Sequence, residues 1–417
     1  MPTTHSSRLY ALALLVASLL VLPACDTEPI EEENNDEIFF GVNYTRLFAE
    51  PTAAEIQAVK NEWDARLTQS TGTPKTAASE TYDGAFHGIL QHTVTSTGQD
   101  NVIHYGVVRI PDGADNFPIL VVHHGGDDGI YLNEGAANSA SASANKGVAE
   151  WVAAFPQLAA STVQIWPVYR SETIRTTGTP VSGGSFTATA GGDPSPWDYD
   201  VDDSIAFLDA VIQRWGDFVD EDRVAAMGMS RGANTALLHA IRDSRIDAVT
   251  NYYGPTDFYN ESAQSLATGV LSGNTRALML PGAQYLLDNV LKPLSPDGIY
   301  NASANYASAR REVLRRSASA FRGDLPDTQV HHHLSDPTVP FLFSQALKDK
   351  VDSDGTPSVF DFNAYGDPAD VNLSDEERAA FHAPELTPAM QPSIARTETF
   401  LLNALGVGSA TRLALAY

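Results

Sequence analysis

Cysteine is all but absent from this chain, with Cys25 the single one in 417 residues. One thiol cannot build an internal disulfide framework or a cysteine-based metal cluster, so packing has to hold the fold. Basic side chains are also scarce: 26 Lys and Arg stand against 52 Asp and Glu, a net charge of -26. A surface that acidic repels phosphate backbones and anionic bilayers, which removes nucleic acid from the partners to consider. Internal repeats are missing, and no apolar run reaches the roughly 20 residues of a membrane span.

The longest apolar run, Tyr10 to Leu22, follows Arg8 and reads as a secretory signal. Its end, Leu22-Pro23-Ala24-Cys25, resembles the bacterial lipoprotein box. That resemblance implies removal of residues 1–24 and lipidation of Cys25, leaving an exported protein held on a bacterial membrane, periplasmic or at the cell surface. Residues 25–50, acidic from Asp26 to Glu37, are expected to be a solvated tether. In residues 51–87, Ile56, Val59, Trp63 and Leu67 recur at helical spacing and predict a helical extension without chemistry of its own.

From residue 88 to 417 the pattern is that of an α/β domain. Apolar segments of strand character occur at Gly88 to Thr95, Asn101 to Ile110, Pro118 to His124, Thr162 to Tyr169, Arg223 to Met229, Ile246 to Tyr253, Thr328 to His333 and Ser358 to Tyr365. The middle ones are continuously apolar, as strands buried on both faces of a parallel sheet must be. Helical stretches alternate with them, at Val148 to Ala159, Asp202 to Trp215, Ala233 to Ile241, Val339 to Lys350 and Gln391 to Leu405. This predicts a mostly parallel central sheet with helices on both faces. One interval, 257–324, is too long for a simple crossover and contains further helical stretches, so it is expected to form a helical cap.

Chemistry enters at Gly228-Met229-Ser230-Arg231-Gly232, a G-x-S-x-G sequence between a strand and a helix. A serine on so sharp a turn needs glycines two residues away on each side, because larger side chains would collide with the turn. Its hydroxyl needs a histidine base, and the imidazole needs a carboxylate to orient it. In the order Ser, acid, His, only one of the eleven histidines lies beyond the last acid candidate, His382. Asp336, at the mouth of a late strand, is the expected acid, and Asp257, after the preceding strand, is its rival. Backbone donors for an oxyanion are expected from Arg231 and from Gly125 or Gly126, after the third strand of the domain. The triple His331-His332-His333 alternates between sheet faces and so does not predict a metal site.

With these parts in order, residues 88–417 resemble the α/β-hydrolase superfamily, and most the catalytic domain of the prolyl oligopeptidase family. Val168-Tyr169-Arg170-Ser171, Pro194 to Asp203 and Ser335 to Pro340 add to the likeness. The resemblance implies an α/β-hydrolase fold and a serine hydrolase acting on a small ester or peptide substrate through Ser230, Asp336 and His382, without metal or organic cofactor. The stretch before the sheet is too short for that family's β-propeller. Arg231 after the serine is also similar to the glucuronoyl esterases, although Ala233 stands where they carry lysine. A catalytically silent binding protein on the same fold is the reading from another class. Arg170 is expected to pair with Asp202 or Asp203. No protein partner is predicted.

Overall fold

The computed structural model describes residues 36–82, 84–113, 115–132, 148–176, 186–367, 370, 372–374, 378, 380–382 and 390–407. The expected signal, Cys25 and the tether up to residue 35 lie outside the described residues. No described helix is long and apolar enough to cross a membrane.

Nine strands make one sheet: β1 (Gln69–Tyr82), β2 (Ala85–Thr95), β3 (Val102–Pro111), β4 (Phe117–His123), β5 (Val163–Pro167), β6 (Val219–Met229), β7 (Ile246–Tyr252), β8 (Asp327–His333) and β9 (Phe360–Tyr365). Their spatial order is β9-β8-β7-β6-β4-β5-β3-β2-β1. Neighbours from β9 to β5 run parallel, and β3, β2 and β1 continue the sheet antiparallel. The continuous apolar runs follow from this position. Along β4, Ile119 and Val121 enter the core on one face while Leu120 and Val122 enter the core on the other. Both faces are dry, so no polar alternation is possible.

One face is covered by α4 (Tyr199–Trp215), α5 (Arg231–Arg242) and α8 (Leu342–Asp354), whose apolar sides meet in the larger core. The other carries α2 (Val148–Ala154), α3 (Pro156–Ser161) and α9 (Gln391–Ala404). The single helix expected over Val148 to Ala159 is two, because Pro156 has no N–H to continue a helix and starts the second one instead. Between β7 and β8 the cap contains α6 (Glu261–Leu271) and α7 (Tyr306–Leu314), joined through shorter turns at Thr275–Leu278 and Ala283–Leu294.

Two expectations about the N-terminal region are corrected. The helical extension over 51–87 is helical only in α1 (Ala53–Arg66), which starts on a Thr52–Glu55 capping box and stops at Leu67, left-handed and 72% exposed. Residues 69–82 then join the sheet as its edge strand β1. The polar sequence of this strand hid it, since an edge packs little apolar surface. Its ladder shifts register between Thr71 and Lys75, where Gly72 and Pro74 fit a bulge rather than a regular pair.

The expected tether, 25–50, is also shorter than its assigned range. A hairpin pairs Ile38–Phe39 with Val42–Asn43, and Tyr44–Leu47 forms a helical turn. Val42, Tyr44 and Leu47 are buried in the core. Tyr306 Oη accepts the Asn43 N–H at 2.7 Å, and the Arg310 guanidinium donates to the carbonyls of Arg46, Leu47 and Ala49. Burial of these apolar side chains on the cap takes the segment out of solvent.

Candidate active site

The chain passes from β4 to β5 on one side and later returns to β6 on the other, so β4 and β6 are neighbours at a reversal of strand order. Crevices at the carboxyl ends of such strands are where open α/β sheets bind ligands. Here those ends carry His123-His124-Gly125-Gly126 and Ser230.

Ser230 has φ 54° and ψ -124°, an uncommon conformation for a residue with a side chain. The surrounding backbone imposes it. A Cβ placed on Gly228 would lie 2.1 Å from the Gly232 carbonyl oxygen, and one on Gly232 would lie 2.2 Å from that of His123. Both glycines are therefore required by contact, as the G-x-S-x-G spacing predicts. The Ser230 N–H donates to the Tyr252 carbonyl at 2.9 Å, fixing the turn to β7.

His382 lies on a helical turn, Ala380–His382, after β9. Its Nδ1 is 2.7 Å from Asp336 Oδ2. The other oxygen, Oδ1, accepts the N–H groups of Thr338 at 2.7 Å and Val339 at 3.0 Å. Burial pushes the Asp336 carboxyl up, but the His382 imidazole, its hydrogen bond, His332 and the Thr338 N–H together hold it below the ordinary value. Nε2 of His382 is buried without a hydrogen-bond partner among the described residues. It shares a small cavity of about 40 Å³ with Ser230, Gly125, Met229 and Tyr253. The Tyr253 ring packs against the imidazole with centroids 4.3 Å apart.

Asp257, the rival acid, is engaged elsewhere: Lys350 Nζ lies 2.9 Å from its carboxylate, and the Tyr259 N–H donates to it. The three consecutive histidines diverge. His331 bonds Tyr365 and Thr397, His332 bonds Ser344 and the Val339 carbonyl, and His333 accepts from Ser335 N and stacks on Phe381. Burial pushes His332 down to about 4, which keeps it neutral beside Asp336.

On the opposite flank, the Arg231 side chain turns back from the elbow into the protein. One terminal nitrogen donates to the Gly126 carbonyl at 3.1 Å and pairs with Glu172; the other is 2.6 Å from Asp200. The guanidinium lies over the Tyr169 ring, whose hydroxyl donates to the His124 carbonyl at 3.0 Å. Trp197 Nε1 donates to the Arg231 carbonyl. Burial, opposed by Arg231, pushes Asp200 up to about 6 and raises Glu172. Thus Gly125 lines the Ser230 cavity while the next carbonyl is tied to the residue after the serine. Arg170 pairs through two nitrogens with Asp203, the partner expected for it. Sequence reasoning assigned no role to Glu172, Asp200, Tyr169 or Tyr253. An arginine at the buried start of α5 was the available signal, since a buried guanidinium requires carboxylates nearby.

A larger cleft of about 600 Å³ opens on Ser230 and Arg231 from the side of the cap and the turn after Asp336.

Strand order, the strained serine between β6 and α5, the carboxylate after β8 and the histidine after β9 together identify the architecture. The chain has the α/β-hydrolase fold. No family model matches it, and no curated protein is detectably similar to it in sequence. Among solved structures it is similar to acetyl xylan esterase 1 from a Thermoanaerobacterium species, at 16% identity and TM-score 0.45 over 79% of this chain and 90% of that one. A mutant of the rice cell wall degrading esterase LipA from Xanthomonas oryzae is 13% identical, with TM-score 0.48 over 80% of this chain and 98% of that one. Porphyromonas gingivalis dipeptidyl peptidase 4 is 12% identical, with TM-score 0.43 over 80% of this chain and 43% of that one. The sheet order and elbow, rather than these distant likenesses, identify the fold.

Proposed function

We propose that this protein is a serine hydrolase that cleaves an ester or peptide bond by two-step acyl transfer. The observation that carries this reading is the His382 imidazole, oriented by Asp336, with Nε2 lacking a partner among the described residues, on the same small cavity as Ser230. Nε2 takes the Ser230 hydroxyl proton as Oγ bonds to the substrate carbonyl carbon. The carbonyl oxygen becomes an oxyanion, received by the Arg231 N–H and one from Gly125 or Gly126. As the bond to the leaving group breaks, His382 returns the proton to it. Water then enters and gives a proton to His382 as its oxygen bonds to the acyl carbon. The bond to Ser230 Oγ breaks, Oγ takes the proton back from His382, and the acid leaves. Asp336 stays ionised throughout and stabilises the imidazolium.

The Arg231 side chain is committed to Glu172 and Asp200, so its charge serves the fold, and the glucuronoyl-type reading loses its main support. Export and attachment through Cys25 are proposed from the sequence of residues 1–25. The enzymatic reading is tested with a fluorophosphonate probe on the purified protein. Wild type is expected to label and S230A to remain unlabelled; equal labelling of both would refute Ser230 as nucleophile.

A further inference from the structure

We infer that the cleft of about 600 Å³ beside Ser230 is an acyl pocket, and that the preferred substrates carry a bulky apolar acyl group rather than acetyl. This rests on the proposed serine hydrolase reading and extends it to substrate class.

The assignment to the acyl side follows from the proton path. His382 has to protonate the leaving group, so that group departs on the His382 side of Ser230. The large cleft touches Ser230 and Arg231 but, among the described residues, is not lined by His382, which lies on the small cavity instead. A group held in the cleft therefore stays bonded to Ser230 when the leaving group goes.

The chemical class follows from the walls. Trp197, Phe258, Leu266, Leu280, Leu286 and Phe343 line the cleft, and Pro337 to Pro340, from the turn that begins at Asp336, close one side. Of its charged lining residues, Glu261 and Arg276 are exposed, and the buried Arg231 has its charge matched by Glu172 and Asp200. A site of this size and lining fits a medium-sized apolar group, and an acetyl group would leave most of it unfilled. Much of the wall comes from the cap, so the insertion between β7 and β8 sets the size of the acyl group. Each methylene buried there raises kcat/KM roughly fourfold until the chain fills the space.

The test measures kcat/KM of the full chain on p-nitrophenyl acetate, butyrate and octanoate. A rise of about tenfold or more from acetate to butyrate is expected, with octanoate above both; acetate equal to or better than octanoate would overturn the inference. A second series holds the acid at acetate and lengthens the alcohol. No comparable gain is expected, and a gain that follows the alcohol would overturn the acyl assignment. In S265W, which places a large ring on the cap wall, the octanoate-to-acetate ratio should fall at least about tenfold. An unchanged ratio would also overturn the inference. S230A distinguishes the two levels: turnover that survives in it refutes the nucleophile, whereas serine-dependent turnover with a flat profile refutes the pocket alone.

Discussion

On the His382 flank of Ser230, one carboxylate meets one imidazole, whose Nε2 has no partner among the described residues. On the Arg231 flank, one guanidinium meets two carboxylates and a backbone carbonyl, and both terminal nitrogens are committed. Both flanks are buried and charged, and they differ in what remains available. A group that moves protons needs an open valence next to space, whereas a group that holds a loop needs its charge matched. The histidine flank leaves a valence open for the proposed proton transfer, and the arginine flank is taken up with holding the loop.

The largest expected effect comes from breaking the histidine flank with D336N. Oδ1 accepts the Thr338 and Val339 N–H groups, so an asparagine keeps its oxygen there and presents its NH2 to His382 Nδ1. That forces the proton onto Nε2, the nitrogen that accepts from Ser230 in the proposed mechanism. We expect kcat to fall by about 10⁴ with stability little changed, measured by steady-state kinetics and urea unfolding. A loss of less than tenfold would mean that the pair is not catalytic.

The arginine flank should break in the other currency. R231M leaves Glu172 and Asp200 buried with no guanidinium, and unfolding free energy should drop by about 3–5 kcal/mol. Adding E172Q and D200N should restore part of that loss. Stability unchanged in R231M would refute the bracing role.

A smaller effect sharpens the contrast with a pair near solvent. Glu55, on α1, bonds Arg310 of the cap, and that bond holds its carboxyl down to about 2 against a modest opposing effect of burial. A carboxyl whose folded value is depressed adds stability above its ordinary value of about 4.3 and loses it as pH falls toward the folded one. Wild type should therefore lose its advantage over E55Q between about pH 4.5 and 2, by less than about 1 kcal/mol after solvent screening, read from Tm against pH. Glutamine keeps the capping box, and the one Arg310 bond it also loses does not titrate, so the pH dependence of the difference reports the charge. A Tm difference that does not change with pH would refute it.

Much of this architecture was legible in the sequence, for physical reasons. Strands buried on both faces are largely apolar, which revealed β4, β5 and the second half of β6, and the elbow has to carry glycines because the turn leaves no room for a Cβ. Chain order alone singled out His382, which the structure brings to Asp336. The polar edge strand β1 was invisible because an edge has little to bury. Glu172 escaped because it meets Arg231 across 59 residues of chain, and spacing does not say which of 52 acidic side chains a buried guanidinium will find. The Tyr44–Leu47 turn was hidden by the acidic stretch before it, Asp26 to Glu37, whose solvated character was extended over the apolar residues that follow.

That last segment has a mechanical consequence. Residues 43–49 are fastened by Tyr306 and Arg310, both on the cap helix α7, so tension drawn along the leading end of the chain is delivered to the cap before it reaches the sheet. A pull from that end would load the cap through α7 while β6 and its elbow stayed unloaded.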